Sequence, residues 1–237
     1  MNSAQNSRAA VLIPAYNPDE KLLALIDELV PKFANIVVVN DGSTVNPEVF
    51  DGVRARGITL LAHQENRGKG AALKTGFKWI LENLTSCATV VTADADGQHR
   101  PDDIVRVAEA SLANPKALTI GVRAFSGDVP FRSRLGNWWT RWVFFLLTCL
   151  KIQDTQTGLR GIPFSLLPRI LLLGGSCYEF EMLMLADAKH HEAPPVQVPI
   201  ATVYIEGNAS SHFNPLRDTI RIYGALLRFC IARRFNA

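Results

Sequence analysis

The chain has 237 residues, of which 48% are hydrophobic and 20% charged. That balance describes a folded domain with a sizeable core and excludes a disordered chain. A formal net charge of +3 is too small to imply a nucleic-acid partner.

The charge is unevenly placed. Residues 132–151 carry Arg132, Arg134, Arg141 and Lys151 with no acid, and residues 216–237 carry five Arg against one Asp. The rest of the chain is acidic, so two basic, apolar-rich segments point to an anionic surface or ligand. Cys87, Cys149, Cys177 and Cys230 form neither a CxxC pair nor a disulfide ladder, which fits a reducing, cytoplasmic setting. The N-terminus shows no signal-peptide pattern. No apolar stretch reaches the roughly 20 residues that span a bilayer, although a peripheral position on a membrane face stays open.

Ala9–Ile13 reads as a first strand, ending at Pro14-Ala15-Tyr16-Asn17. A helix from Pro18 to about Leu29 carries Leu22, Leu25, Ile26 and Leu29 on one face. Asn35–Val39 is a second strand and ends at Asn40-Asp41-Gly42-Ser43; Asp41 there is either a ribose or base contact or a turn residue. A short helix over Val49–Arg56 precedes a third strand, Gly57–Leu61. The loop Asn66-Arg67-Gly68-Lys69-Gly70 offers amides and cations before a helix over Ala71–Leu84, a plausible phosphate contact without the spacing of a P-loop.

Ala88–Thr92 is the fourth strand, and Asp94-Ala95-Asp96-Gly97-Gln98-His99 follows it. An Asp-x-Asp pair on an extended segment sends both carboxylates to one side. Two such oxygen donors, with Gln98 and His99 beside them, suit Mg²⁺ or Mn²⁺. The plainer alternative is an acidic loop capping the helix that starts at Pro101. Strand and helix thus alternate with continuous apolar strands, the signature of a mainly parallel sheet covered on both faces. Its polar motifs fall at the C-terminal strand ends, where open α/β sheets bind ligands.

Beyond a helix over Asp102–Ala113, Ala117–Val122 forms a fifth strand with Arg123 at its end. Trp138–Leu150 reads as a helix apolar nearly all round, either interfacial or buried, and Gln153–Gly161 as a polar loop. Helices over Leu166–Leu173 and Tyr178–Ala188 follow; Glu181 sits in the first turn of the second. Strands over Val196–Ile200 and Thr202–Ile205 and a polar loop over Gly207–Phe213 come next. The last helix, Leu216–Arg234, places Arg217, Arg221 and Arg228 within roughly 40° of one another, a basic stripe suited either to an anionic bilayer or to solvent. His190 and His191 read as surface residues.

Five motifs now carry a resemblance: Val11-Leu-Ile-Pro-Ala-Tyr-Asn17, Val37-Val-Val-Asn-Asp-Gly-Ser43, Asn66-Arg-Gly-Lys-Gly-Ala-Ala-Leu73, Asp94-Ala-Asp-Gly-Gln-His99 and Asp154-Thr-Gln-Thr-Gly-Leu-Arg160. In this order they resemble glycosyltransferase family 2, and within it the dolichyl-phosphate mannose/glucose synthase-like branch and its bacterial polyprenyl-phosphate relatives. The resemblance implies a single α/β domain of GT-A (Rossmann-like) fold over residues 9–213, with an amphipathic helix over 214–237. It implies a nucleotide-sugar donor, Mg²⁺ or Mn²⁺, a polyprenyl-phosphate acceptor, and attachment to a membrane surface. Pro14, Ala15, Tyr16 and Asp41 would line the base pocket, with Lys69, Asp94 and Ala95 along the rest of the donor. Asp96 and Gln98 would hold the metal. Arg123, Arg132, Ser133 and Arg134 would hold the acceptor phosphate; Glu181 matches an acid at a helix start and would be the base if the acceptor were instead a hydroxyl of a glycan or lipid. Family members usually have Glu directly after Tyr-Asn; here Pro18 stands there, with Asp19 or Glu20 as substitutes. A sugar nucleotidyltransferase is disfavoured because Pro14–Asn17 replaces the Gly-rich loop such enzymes place after their first strand. A non-catalytic binding protein is disfavoured by the intact acidic motif.

Overall fold

The computed structural model describes residues 7–123, 131–190, 192–202 and 215–235; within these, the side chains of residues 131–139, 215–217 and 233–235 fall outside the description. Seven strands form one sheet: β1 (Ala9–Ala15), β2 (Asn35–Asn40), β3 (Thr59–Ala62), β4 (Thr89–Thr92), β5 (Thr119–Arg123), β6 (Arg160–Pro163) and β7 (Val196–Ile200). The helices are α1 (Lys21–Leu29), α2 (Pro47–Ala55), α3 (Lys69–Asn83), α4 (Pro101–Ala113), α5 (Phe131–Thr148), α6 (Leu167–Leu171), α7 (Tyr178–Asp187) and α8 (Pro215–Phe235). The strand order is β3-β2-β1-β4-β6-β5-β7. Every pairing is parallel except those of β6, which runs against both β4 and β5.

The period-two pattern of β1 builds both faces of the core. Ala10 and Leu12 join Val37, Val39, Phe77, Ile80 and Phe180 on one side. Val11 and Ile13 join Leu22, Ile26, Val38 and Ile104 on the other. Burial of each such Val, Leu, Ile or Phe contributes about 1.5–3 kcal/mol, so β1, β2 and β4 form a rigid floor whose C-terminal ends support the motif loops. On α1, the predicted residues Leu22, Leu25, Ile26 and Leu29 are the buried ones.

Several elements differ from the sequence reading. The polar loop over Gln153–Gly161 ends inside β6, which pairs Thr92 with Arg160 and Val90 with Ile162. Arg160-Gly-Ile-Pro163 carries a charge, a Gly and a Pro, each a poor strand signal; the sheet supplies the strand's partners on both sides. α5 begins at Phe131 rather than Trp138, because Arg132, Arg134 and Gly136 interrupt the apolar pattern without breaking the helix. On α5, Thr140, Phe144 and Thr148 are buried, while Trp142, Phe145 and Leu146 are exposed. The helix expected over Leu166–Leu173 is a 3₁₀ turn followed by the shorter α6. α8 packs on α7 and α5 and buries Leu226 completely. The expected strand at Thr202–Ile205, from residue 203 onward, and the loop Gly207–Phe213 lie outside the described residues, as does His191; His190 is exposed.

Candidate active site

The ends of β1 and β2 are latched together by short polar bonds. Asn17, at a positive φ of 49°, donates its backbone N–H to Ser43 Oγ at 2.8 Å. Its side-chain oxygen accepts the N–H groups of Thr44 and Val45 at 2.9 and 3.3 Å. Pro14 and Ala15 end β1 in buried positions and Tyr16 follows, half-buried. Pro18 leaves the next acid, Asp19, turned back on α1, where it holds Lys21 Nζ at 2.7 Å.

Asp41, directly after β2, is buried. His63 Nδ1 lies 2.6 Å from its Oδ1, and His63 Nε2 lies 2.9 Å from Thr75 Oγ1. Asp41 also accepts the backbone N–H groups of Arg67 and Gly68 at 3.0 and 2.8 Å. The carboxylate therefore ties the β2 end to the loop before α3. Three of the loop's amides are engaged within the protein. The amides of Arg67 and Gly68 point inward to Asp41, and that of Ala71 donates to Ser176 O at 2.8 Å. Gly68 and Gly70 serve close approach: a Cβ on Gly68 would stand 2.5 Å from Cys177 Sγ, and one on Gly70 2.6 Å from Phe180 Cβ.

The acidic motif is a turn rather than an extended segment, since β4 ends at Thr92. Asp96 Oδ1 accepts the Gln98 N–H at 3.0 Å, and Gly97 takes a φ of 77°. The turn still brings the two carboxylates together. Burial and then the neighbouring Asp94 charge push the Asp96 carboxyl above its ordinary range. A cation would relieve that strain on charge. Among the described residues no three His, Cys, Asp or Glu side chains form a metal cage. Two carboxylates and the Gln98 amide are nevertheless hard oxygen donors, and they fit an ion such as Mg²⁺ that takes one or two carboxylates and completes its shell with phosphate and water.

Lys69, the first residue of α3, sets the electrostatics. Its Nζ lies 2.7 Å from Asp94 Oδ1 and 3.0 Å from Glu181 Oε2. Burial disfavours the ammonium charge, but Asp94 and Glu181 outweigh it and raise the Lys69 pKa well above the ordinary value. Burial likewise disfavours charge on Asp94, yet Lys69, His99 and the more distant Arg160 bring its pKa down to about 2. His99 is buried and accepts the Asp94 N–H on Nδ1 at 3.0 Å. The neutral ring then carries its proton on Nε2, 3.9 Å from Asp94 Oδ2. Burial lowers the His99 pKa against the pull of Asp94 and Asp96, so this neutral form is the resting one. His99 thus orients Asp94, a task its spacing alone did not reveal.

The far wall comes from β5 and the segment before β6. Arg123 Nε and Nη2 grip the fully buried Asp154 at 2.6 and 3.0 Å. Arg123 also lines a cavity of about 50 Å³ with Asp94, Gln98, His99, Gln156, Thr157 and Gly158. Arg160, fully buried, donates to the carbonyls of Thr157 at 3.2 Å and of Glu181. Ala95 follows Asp94 in the turn, half-buried. The side chains of Arg132, Ser133 and Arg134 lie outside the described residues. Asp154, Gly158 and Arg160 frame the site without having stood among the candidate residues. Their signal was the motif Asp154–Arg160 itself, quoted for the family but not parsed by role.

A parallel-rich sheet with an acidic turn at its centre and one antiparallel strand beside it defines a GT-A, Rossmann-like fold. The whole chain is similar in structure to glucosyl-3-phosphoglycerate synthase from Mycobacterium tuberculosis in complex with Mn²⁺, UDP and glucosyl-3-phosphoglycerate: the TM-score is 0.70 at 19% identity, over 96% of this chain and 82% of the other. The family model for glycosyl transferase family 2 matches residues 10–172. A UDP-N-acetylglucosamine–dolichyl-phosphate N-acetylglucosaminyltransferase from Methanococcus voltae is 30% identical over 83% of this chain and 86% of its own length. A polyprenol monophosphomannose synthase from Mycolicibacterium smegmatis is 30% identical over 81% and 76% respectively. The chain belongs to glycosyl transferase family 2 and is a glycosyltransferase.

Gly158 tests the geometry without replacing a charged residue. A Cβ there would lie 2.4 Å from Asp94 Oδ2 and 2.8 Å from Asp94 Cγ. Gly158→Ala therefore displaces the Asp94 carboxylate, and a misplacement near 1 Å can cost about 10²-fold in rate. Steady-state transfer should fall by about that factor while circular dichroism shows the native fold; wild-type activity would show that Asp94 tolerates the shift.

Proposed function

We propose that the protein transfers a hexose from a nucleoside-diphosphate sugar to a phosphorylated acceptor, a polyprenyl phosphate. The observation that carries this reading is the acidic turn, Asp94 to Gln98, facing Lys69 on one side and Arg123 on the other. Pro14, Ala15 and Tyr16 form the base pocket, with Asp41 supporting it from below. Asp94, Ala95 and Lys69 follow the ribose and diphosphate. Asp96 and Gln98 would hold Mg²⁺ or Mn²⁺, which would supply charge neutralisation of the leaving diphosphate.

An acceptor phosphate arrives already ionised, so it attacks the anomeric carbon without a strong general base. Arg123, with Arg132, Ser133 and Arg134, holds it in line. The new bond joins the phosphate oxygen to the anomeric carbon as the bond to the diphosphate breaks. An α-linked donor then gives a β-linked product. This route asks no proton transfer of Glu181, whose Oε2 lies 3.0 Å from Lys69 Nζ. The two lipid-phosphate relatives named above support it as well.

A second reading, transfer to a hydroxyl with Glu181 as base, is favoured by the structural likeness to glucosyl-3-phosphoglycerate synthase, whose solved complexes include one with UDP-glucose and phosphoglyceric acid. Both acceptors carry phosphate, and they part on the need for a base. We also place the enzyme on a membrane surface. No helix among the described residues is long and apolar enough to cross a membrane. α5 and α8, however, pack together and expose Phe145, Leu146, Ile220, Leu227 and Ile231 beside Arg141 and Arg228, a pattern suited to anionic headgroups. The basic stripe of α8 is narrower than its sequence suggests, because Arg221 turns inward to Glu179.

Asp96→Ala should abolish transfer with the fold intact by circular dichroism, as should chelation of the wild type, reversed by Mn²⁺; full activity in either case removes the metal from the account. Glu181→Gln separates the acceptors. Transfer to a short polyprenyl phosphate should persist within about tenfold, whereas a general base contributes typically 10²–10⁴-fold; loss on that larger scale, or transfer only to phosphoglycerate, establishes the hydroxyl reading. For the membrane, Phe145→Asp with Leu146→Asp should prevent co-flotation with anionic vesicles, and unchanged flotation would show that α5 faces elsewhere.

A further inference from the structure

α8 reaches the turn before α7 through the side chain of Arg221. Arg221 Nε lies 3.2 Å from Glu179 Oε1, Nη2 lies 3.3 Å from Ser176 Oγ, and Nη1 lies 3.2 Å from Cys177 Sγ. Glu179 is buried, and the same Oε1 accepts the backbone N–H groups of Ser176 and Cys177 at 2.9 and 3.2 Å. Its other oxygen, Oε2, is buried with no hydrogen-bond partner among the described residues. A buried carboxylate in that state depends on nearby cations. Arg221 makes the contact, and Lys74 adds a longer-range attraction.

The turn held in this way is the surface on which the Lys69 loop rests. Ser176 O accepts the Ala71 N–H at 2.8 Å. A Cβ on Gly68 would meet Ser176 O at 2.5 Å, and one on Gly70 would meet Cys177 O at 2.8 Å. Lys69 stands between those two glycines, and its ammonium stands between Asp94 and Glu181. A shift of the turn therefore moves the α3 start, and with it the cation.

We propose that Arg221 is a positioning residue for the donor: through Glu179 and the Ser176–Cys177 turn it fixes residues 68–70 and so the place of Lys69. The role rests on the nucleotide-sugar reading above. It makes the C-terminal helix part of the donor site's scaffold, acting on a soluble ligand with no lipid present.

The test is isothermal titration of the full chain with UDP and with GDP, each with Mn²⁺ and without vesicles, together with a melting curve for every variant. The wild type should bind one of the two nucleotides. Arg221→Gln should weaken that binding by about fivefold or more, the scale expected for a small misplacement of one contact, and Arg221→Lys should restore most of it. Arg228→Gln removes the same charge from an exposed position on the same helix and should leave affinity unchanged. Equal affinity in wild type and Arg221→Gln overturns the proposal, and so does an equal loss in Arg228→Gln. Should Arg221→Gln fail to fold, Glu179→Gln replaces it: weakened nucleotide binding with a native melting curve supports the role, and wild-type affinity overturns it. If the wild type binds neither nucleotide, the donor reading fails first, and the positioning role goes with it.

Discussion

One half-buried ammonium group holds the site in register. Lys69 contacts Asp94 from the turn after β4 and Glu181 from the first turn of α7. Two carboxylates this poorly solvated repel each other and favour protonation unless a cation lies between them. The pair in turn keeps the lysine charged against its own burial. Each neighbour then constrains the next. His99 receives the Asp94 amide, and Arg160 binds the Glu181 carbonyl. Arg160 is fully buried yet hydrogen-bonds carbonyls; its charge is balanced by Glu181, Asp94 and Asp154 at longer range. The result is a charge network with fixed distances in a low-dielectric setting, where such interactions are stronger than in water.

The glycines explain how segments distant in the chain come this close. Gly68, Gly70 and Gly158 each stand where a Cβ would overlap a neighbour, and the neighbours are the Ser176–Cys177 turn, Phe180 and Asp94 itself. The glycines of the motif around Lys69 therefore reflect close backbone approach. Asp41 follows the same logic, since its carboxylate is spent on His63 and two loop amides. These motifs are consequently braced by a second set of internal bonds.

Much of this was legible in the sequence. β1, β2 and β4 are continuous apolar runs, and α1 shows its buried face residue by residue, because burial on one or both faces writes a strong period. The acidic turn was legible from Asp94, Asp96 and Gly97, although the reason given, an extended Asp-x-Asp, was not the one the backbone uses. β6 was not legible. Four residues with an Arg, a Gly and a Pro carry no period, and their pairing is decided by β4 and β5. The inward turn of Arg221 was equally hidden. Helical pitch places it in a stripe with Arg217 and Arg228, but only tertiary packing shows that Glu179 lies opposite. Polar contacts between distant segments leave no periodic trace.

The antiparallel course of β6 has a consequence for when the site can form. Because β6 enters the sheet from the ligand side, the loop before it, rather than the loop after it, flanks Asp94, and Gly158 O is fastened to Thr92 Oγ1 at 2.7 Å. The acidic turn thus gains its wall from a segment made long after it on the ribosome, and Glu181, the second carboxylate on Lys69, arrives later still. Loop-closure entropy and slow non-local pairing both accompany such long separations. The parallel half of the sheet can collapse around β1 early, whereas the chemistry of the centre is completed only when the last third of the chain has docked.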